Sequence, residues 1–189
     1  MNKSFLDYFL KIRLPIIVFV AAASLVLTYY VSRQERDGVG YQPTQPIPFS
    51  HALHAGQMGI DCQYCHTGAS VSRHSMVPPV NTCMNCHSVA RKNKPDIVRL
   101  TQYFNENKAI HWKRVHKLPD FVYFNHSVHV NRGIHCQTCH GEVQEMDVVR
   151  QVNSFTMANC LRCHRNTAKM LPYLPGIKNA PDNCYTCHR

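Results

Sequence analysis

The residues able to do chemistry in this chain are ten cysteines and thirteen histidines among 189 positions. All ten cysteines fall in five Cys-x-x-Cys pairs, and every pair is followed at once by histidine. The motifs are Cys62-Gln63-Tyr64-Cys65-His66, Cys83-Met84-Asn85-Cys86-His87, Cys136-Gln137-Thr138-Cys139-His140, Cys160-Leu161-Arg162-Cys163-His164 and Cys184-Tyr185-Thr186-Cys187-His188. Paired cysteines alone are also the half-site of a zinc ribbon. With histidine at 13 of 189 positions, its appearance after all five pairs by chance has a probability of about 10⁻⁶, and the pattern is instead that of covalent haem c attachment. Two thiols spaced i, i+3 on a short turn add to the two vinyl groups on one porphyrin edge, and the adjoining imidazole reaches the iron as proximal ligand. Five haem c groups are expected, with His66, His87, His140, His164 and His188 as proximal ligands, and no cysteine is left for a disulfide.

This reading also reassigns the charge. The chain carries 21 Lys plus Arg against 11 Asp plus Glu, a formal +10 that alone would suggest an anionic partner such as nucleic acid. Five haems bring about ten propionate charges, which offset the excess. No lysine run and no basic stretch interleaved with aromatics points to nucleic acid.

Each iron needs a sixth ligand or an open site, and that choice separates a wire from an enzyme. Eight histidines lie outside the motifs: His51, His54, His74, His111, His116, His126, His129 and His135. Four of them form two copies of Phe-x-His-x-x-His, at Phe49-Ser50-His51-Ala52-Leu53-His54 and Phe124-Asn125-His126-Ser127-Val128-His129. Imidazoles three apart share one helical face but diverge too much for one iron, so each element is expected to serve two adjacent haems. His74, His111 and His135 are expected at the surface or on propionates.

The elements that position these groups follow from spacing. Gly59-Ile60-Asp61-Cys62 and Gly133-Ile134-His135-Cys136 follow the two histidine elements, so the chain contains an internal repeat. The first cysteines of successive motifs are separated by 21, 53, 24 and 24 residues. The chain is thus divided into a two-haem module at 46–93, a helical connector at 94–116 and a three-haem module at 117–189. In the connector, Pro95 and Asp96 precede Ile97, Val98, Leu100, Tyr103 and Phe104, which predicts a capped helix with one apolar face. Trp112 is expected to pack as a buried aromatic. About thirty residues per haem are too few for a conventional core, so the fold class is mostly α and irregular, with short helices and loops wrapped around the haems.

Lys3, Lys11 and Arg13 precede an apolar stretch from Leu14 to Val31, just long enough to span a bilayer. Ala21-Ala22-Ala23 resembles a leader-processing site, but the apolar run continues eight residues past Ala23, which favours an uncleaved anchor. Residues 1–31 are read as a cytoplasmic N-terminus and transmembrane helix, residues 32–45 as a polar tether carrying Arg33, Glu35, Arg36 and Asp37. The haem part is expected on the outer, periplasmic side of the bacterial cytoplasmic membrane, where haem is attached.

The histidine elements and motif grouping resemble those of the c7/c3-like multihaem cytochromes. That resemblance implies that His51 serves the haem of His66, His54 that of His87, His126 that of His140 and His129 that of His164. The fifth haem would take Met157, which stands near where three-haem relatives carry their remaining ligand, with Met146 and His116 as rivals. A thioether raises a haem's potential. At greater length the chain resembles the membrane-anchored pentahaem subunit of bacterial alternative complex III, a quinol:electron-acceptor oxidoreductase. The carriers are the anchor, Pro48-Phe49-Ser50-His51, Gly59-Ile60-Asp61-Cys62, Val77-Pro78-Pro79, Thr82-Cys83-Met84-Asn85-Cys86-His87 and Arg114-Val115-His116-Lys117-Leu118-Pro119-Asp120-Phe121. The resemblance implies a hetero-oligomer containing an iron–sulfur subunit of the molybdopterin-enzyme type, a polytopic quinol-binding subunit and a monohaem cytochrome c. It implies relay without a catalytic site. A direct membrane quinol dehydrogenase and a multihaem reductase with an open iron are the alternatives.

Overall fold

The computed structural model describes residues 3–188; residues 1–2 and 189 lie outside it, and residues 3–5 and 33–36 are described by their backbone alone. It separates into one unit ending at Gly38 and a second beginning at Val39.

The first unit is helical. Helix α1 (Lys3–Tyr8) runs through a widened turn at Phe9–Arg13 into α2 (Leu14–Asp37). Leu14 N–H donates to Phe9 O, five residues back. The reason lies one residue on. Pro15 has no N–H to give and its ring would crowd the carbonyl four residues earlier, so the helix opens just before it. Leu6–Ser32 is long and apolar enough to cross a membrane, with a mean hydropathy of 2.2, and none of that window is buried against protein.

The second unit has no strand among the described residues and is built from short helices tied by loops. Four carry Cys-x-x-Cys pairs, α3 (Cys62–Cys65), α7 (Cys136–His140), α8 (Met157–Arg165) and α10 (Cys184–Cys187); the remaining pair lies at the end of α4 (Val80–His87). Asx residues start two of them. Asp61 accepts from Gln63 N at 2.7 Å, and Asn183 accepts from Thr186 N at 3.2 Å, each satisfying an end donor that a helix of four residues cannot use itself. Helix α9 is Thr167–Met170.

The connector helix, α5, covers Pro95–Asn105 only. Its start differs from the expected cap: Lys94 makes no side-chain bond there, and Pro at the first turn with Asp96 near the positive helix end does the work instead. Leu100, Ile97 and Tyr103 pack with Ile47, Val80, Met84 and Trp112, whereas Val98 and Phe104 stay exposed. Among the described residues seven hydrophobic side chains are buried, which is too few to hold some 150 residues together without further apolar volume.

Two features lie across the divisions expected from the sequence. The polar segment 32–45 is taken up from both sides: α2 continues to Asp37, and Gly40 N–H bonds Gln151 O at 2.8 Å while Gln151 N–H bonds Tyr41 O at 3.1 Å. Gln45 adds a pair of bonds with Lys113, both 2.8 Å. The two- and three-motif halves are also joined by backbone bonds, Ala52 N–H to Met146 O at 3.0 Å and Ser127 N–H to Ser72 O at 3.1 Å.

The repeat is visible in three dimensions. Phe49 stacks on His54 at 4.4 Å and meets His51 edge-on at 4.8 Å; Phe124 stacks on His129 at 4.6 Å and meets His126 edge-on at 4.8 Å. The second copy is a regular helix, α6 (His126–Val130), and the first is a widened turn at Ala52–Gln57. The cause is one residue. His51 precedes Cys62 by eleven positions and His126 precedes Cys136 by ten, and the surplus residue is housed in the wide turn. Ile60 N–H therefore reaches back six residues to His54 O where Ile134 N–H reaches back five to His129 O.

Candidate haem-binding centre

A histidine bound to metal through Nε2 usually gives its Nδ1 proton to a carbonyl, which fixes both tautomer and ring orientation. Seven motif or repeat histidines have that partner. Among the motif rings, His66 bonds Met76 O at 2.7 Å, His87 bonds Ala90 O at 3.2 Å, His164 bonds Pro181 O at 2.6 Å and His188 bonds Phe121 O at 3.3 Å. Among the repeat histidines, His54 bonds Ser50 O and His129 bonds Asn125 O, both at 2.8 Å and both one turn back on the same element. His126 reaches across to Arg73 O at 2.9 Å.

The rings then face one another in pairs. His54 and His87 have centroids 6.2 Å apart, His129 and His164 6.2 Å, and His126 and His140 6.5 Å with planes only 4° from parallel. An iron held between two imidazoles would set that distance: about 2 Å per Fe–N bond plus about 1.1 Å from each nitrogen to its ring centre gives about 6.2 Å. These three pairs have the spacing that a six-coordinate haem iron requires, so the residues present fit the group.

The other expected ligands differ in setting. His51 is half-buried with an enclosed Nδ1 that lacks a partner, and its pKa falls to about 4 because burial, then the neighbouring His66, His54 and His116, disfavour the charged ring. His140 falls to about 3, from burial first and then His116, His126 and His66. Burial likewise lowers His129. Neutral imidazole is the form that binds iron. Burial also raises the thiols of Cys65, Cys83, Cys136, Cys160 and Cys163, and it pushes Cys139 up to about 11, with Cys163, Cys160 and Cys136 adding to it.

For the fifth motif, the ring lying against His188 is Phe121, stacked at 5.9 Å. Met157 opens α8 with 65% of its surface exposed, one turn before Cys160. Met146 is buried, and its carbonyl is taken by Ala52. His116 packs edge-on to His140 at 4.4 Å and against Phe155 at 5.9 Å, with a buried Nε2 that has no partner. His74 and His111 are exposed; His135 stacks on Tyr173 at 4.3 Å, whose hydroxyl accepts from His135 N and meets Thr138 Oγ1 at 2.9 Å.

Sequence reasoning missed the packing of Phe49 and Phe124, which hold both imidazoles of each element at fixed angles. Their constant place two residues before the first histidine was the available signal. It also missed Arg73, whose carbonyl orients His126 while its guanidinium lies 4.3 Å over the Tyr123 ring. Nothing near Arg73 in sequence announces either contact.

Cys-x-x-Cys-His turns with opposed imidazoles on a helical fold, without strands among the described residues, define a multihaem c-type cytochrome. Residues 29–116 match the class III cytochrome c family and residues 122–189 match cytochrome c7 and related cytochromes c, so the fold is of the c7/class III multihaem type. The chain is 28% identical over 169 residues, 78% of its own length and 78% of the relative's, to the multihaem cytochrome c subunit of a menaquinone reductase from Nitratidesulfovibrio vulgaris Hildenborough. It is a multihaem electron-transfer cytochrome related to that subunit.

Proposed function

We propose that this chain carries five covalent haems c and is the electron-relay subunit of a quinone-linked membrane complex, of the alternative complex III or menaquinone reductase kind. The bound haems supply one-electron exchange. The observation that carries the reading is the set of three imidazole pairs at 6.2, 6.2 and 6.5 Å, a spacing that leaves no room for a substrate at iron. The chain's own part is to hold and orient the ligand rings and, at His51, His129 and His140, to favour the neutral form by burial.

In this reading the proximal ligands are His66, His87, His140, His164 and His188, and the distal ones are His51, His54, His126, His129 and Met157. His51 is favoured for the first site by its burial beside His66. Met157 is favoured for the fifth because its rivals are engaged elsewhere: Met146 is packed beside Ala52, and His116 against His140. Leu6–Ser32 serves as an uncleaved membrane anchor with the haem part on the periplasmic side. An iron–sulfur subunit and a polytopic quinone-binding subunit lie on one side of the relay, and a monohaem cytochrome or soluble acceptor on the other. The chain has no catalytic site of its own, since a lone apolar helix offers neither a quinol groove nor a proton acceptor.

The test uses haem-loaded subunit in detergent, given a menaquinol analogue. It should stay oxidised alone and become reduced once its membrane partners are restored. Rapid, inhibitor-sensitive reduction of the isolated subunit would overturn the relay reading in favour of a direct quinol dehydrogenase.

A further inference from the structure

Five attachment turns could be threaded in many orders. The bonds between them select one, through an internal two-fold relation. Counted from the first cysteine of each copy, Ser72 corresponds to Met146 and Ser70 to Gln144, while Ala52 and Ser127 each follow the first histidine of their element. Ser127 of the second copy donates to Ser72 O of the first at 3.1 Å, and Ala52 of the first donates to Met146 O of the second at 3.0 Å. The exchange recurs one turn on. Asn131 Nδ2 donates to Ser70 O at 2.9 Å, and its counterpart Gly56 is pressed so closely on Gln144 O that a Cβ there would collide. Contacts of this reciprocal kind belong to an isologous two-fold interface. Where the axis passes, a residue meets its own counterpart, and Cys136 does lie beside Cys62.

The remaining neighbours follow from side-chain bonds. Asn85 of the second turn donates to Tyr64 Oη of the first at 3.0 Å. Asn153 Nδ2 holds Cys139 O of the third turn at 2.9 Å, and the adjacent Ser154 O accepts from Asn159 of α8 at 2.7 Å. His164 and Arg165 of the fourth turn bond Pro181 O at 2.6 Å and Asp182 at 2.9 Å, immediately before the fifth turn. Among the described residues, no hydrogen bond ties Val80–His87 to the third, fourth or fifth turn.

We propose that the turns form one unbranched series, second, first, third, fourth, fifth, whose halves meet at the Cys62–Cys136 two-fold axis, so that electrons crossing the chain pass the first and third haems. The order in space thus differs from the order in sequence, and the two ends of the series, where partners exchange electrons, are the second and fifth turns. This rests on the relay reading with a haem at each turn.

The test is an equilibrium redox titration of the holoprotein followed by low-temperature EPR, each haem being identified by the signal that its own His→Met variant alters. His126→Met raises the potential of the third haem, which then keeps its electron while the others are oxidised. That charge lowers the midpoints of adjacent haems and falls off with distance. Downward shifts are expected for the first and fourth haems and none for the second. His51→Met is the complement, expected to shift the second and third, and it decides the matter if His126→Met fails to accumulate. A shift of the second haem without the first in His126→Met, or of the second alone in His51→Met, overturns the order. The titration involves neither quinol nor partners, so this pattern in a chain that no quinone-linked complex reduces would refute the relay reading alone.

Discussion

Replacing one distal imidazole should open one iron and no other. His54 and His87 are 6.2 Å apart between ring centres, which leaves about 4 Å between the facing nitrogens for one iron and its two bonds. His54→Ala removes one nitrogen from that gap. Phe49, stacked on His54 at 4.4 Å, has no donor to replace it. The iron on His87 should become five-coordinate and bind carbon monoxide when reduced. On the proposed count of five haems, the Soret change should correspond to one-fifth of the haem, and His54→Ala with His129→Ala together should give two-fifths. Native protein and His74→Ala, whose ring is exposed and away from the pairs, should give almost none. The assay is a carbon monoxide titration of dithionite-reduced protein, calibrated by pyridine haemochrome. Stoichiometric binding by native protein, or no gain on replacing His54, would refute the pairing argument.

Three further outcomes are expected. Alkaline carbonate should leave the protein in the membrane pellet, since Leu6–Ser32 exposes its apolar surface; release into the supernatant would exclude an anchor. Met157→His should lower one midpoint potential and abolish the near-infrared charge-transfer band of a ferric His/Met haem while the protein stays red; if native protein lacks that band, Met157 is not a ligand. Gly56→Ala forces a Cβ onto the Gln144 carbonyl and should cost about 2 kcal/mol, lowering Tm by about 4–8 °C in a thermal scan of the holoprotein.

The five Cys-x-x-Cys-His turns were legible because their spacing is fixed, and the histidine elements because two copies repeat it. The fold class followed from the scarcity of residues per haem. What could not be read was everything set by contacts distant in sequence. Arg73 is 53 positions from the ring it orients, and Gln45 binds Lys113 across 68. No local pattern encodes such pairs. The connector shows the same limit within one helix: a periodicity of five apolar residues located α5, but only the packing of Leu100, Ile97 and Tyr103 against Ile47 and Met84 reveals which part of that stripe is buried. Gly40 and Tyr41 look like free polar chain until Gln151, far downstream and 2% exposed, supplies their backbone partners.

The widened turn at Ala52–Gln57 bears on how such a chain changes over time. Each residue added to a regular helix rotates what precedes it by about 100°, enough to swing an imidazole out of line with its iron. Here the added residue falls after His54, and the two Phe–His–His clusters keep matching distances in both copies. An insertion in this place alters the length of chain between ligand and attachment turn without moving either. Natural variants should accordingly gain and lose single residues between His54 and Cys62 far more freely than between His51 and His54, where the helix itself is the ruler.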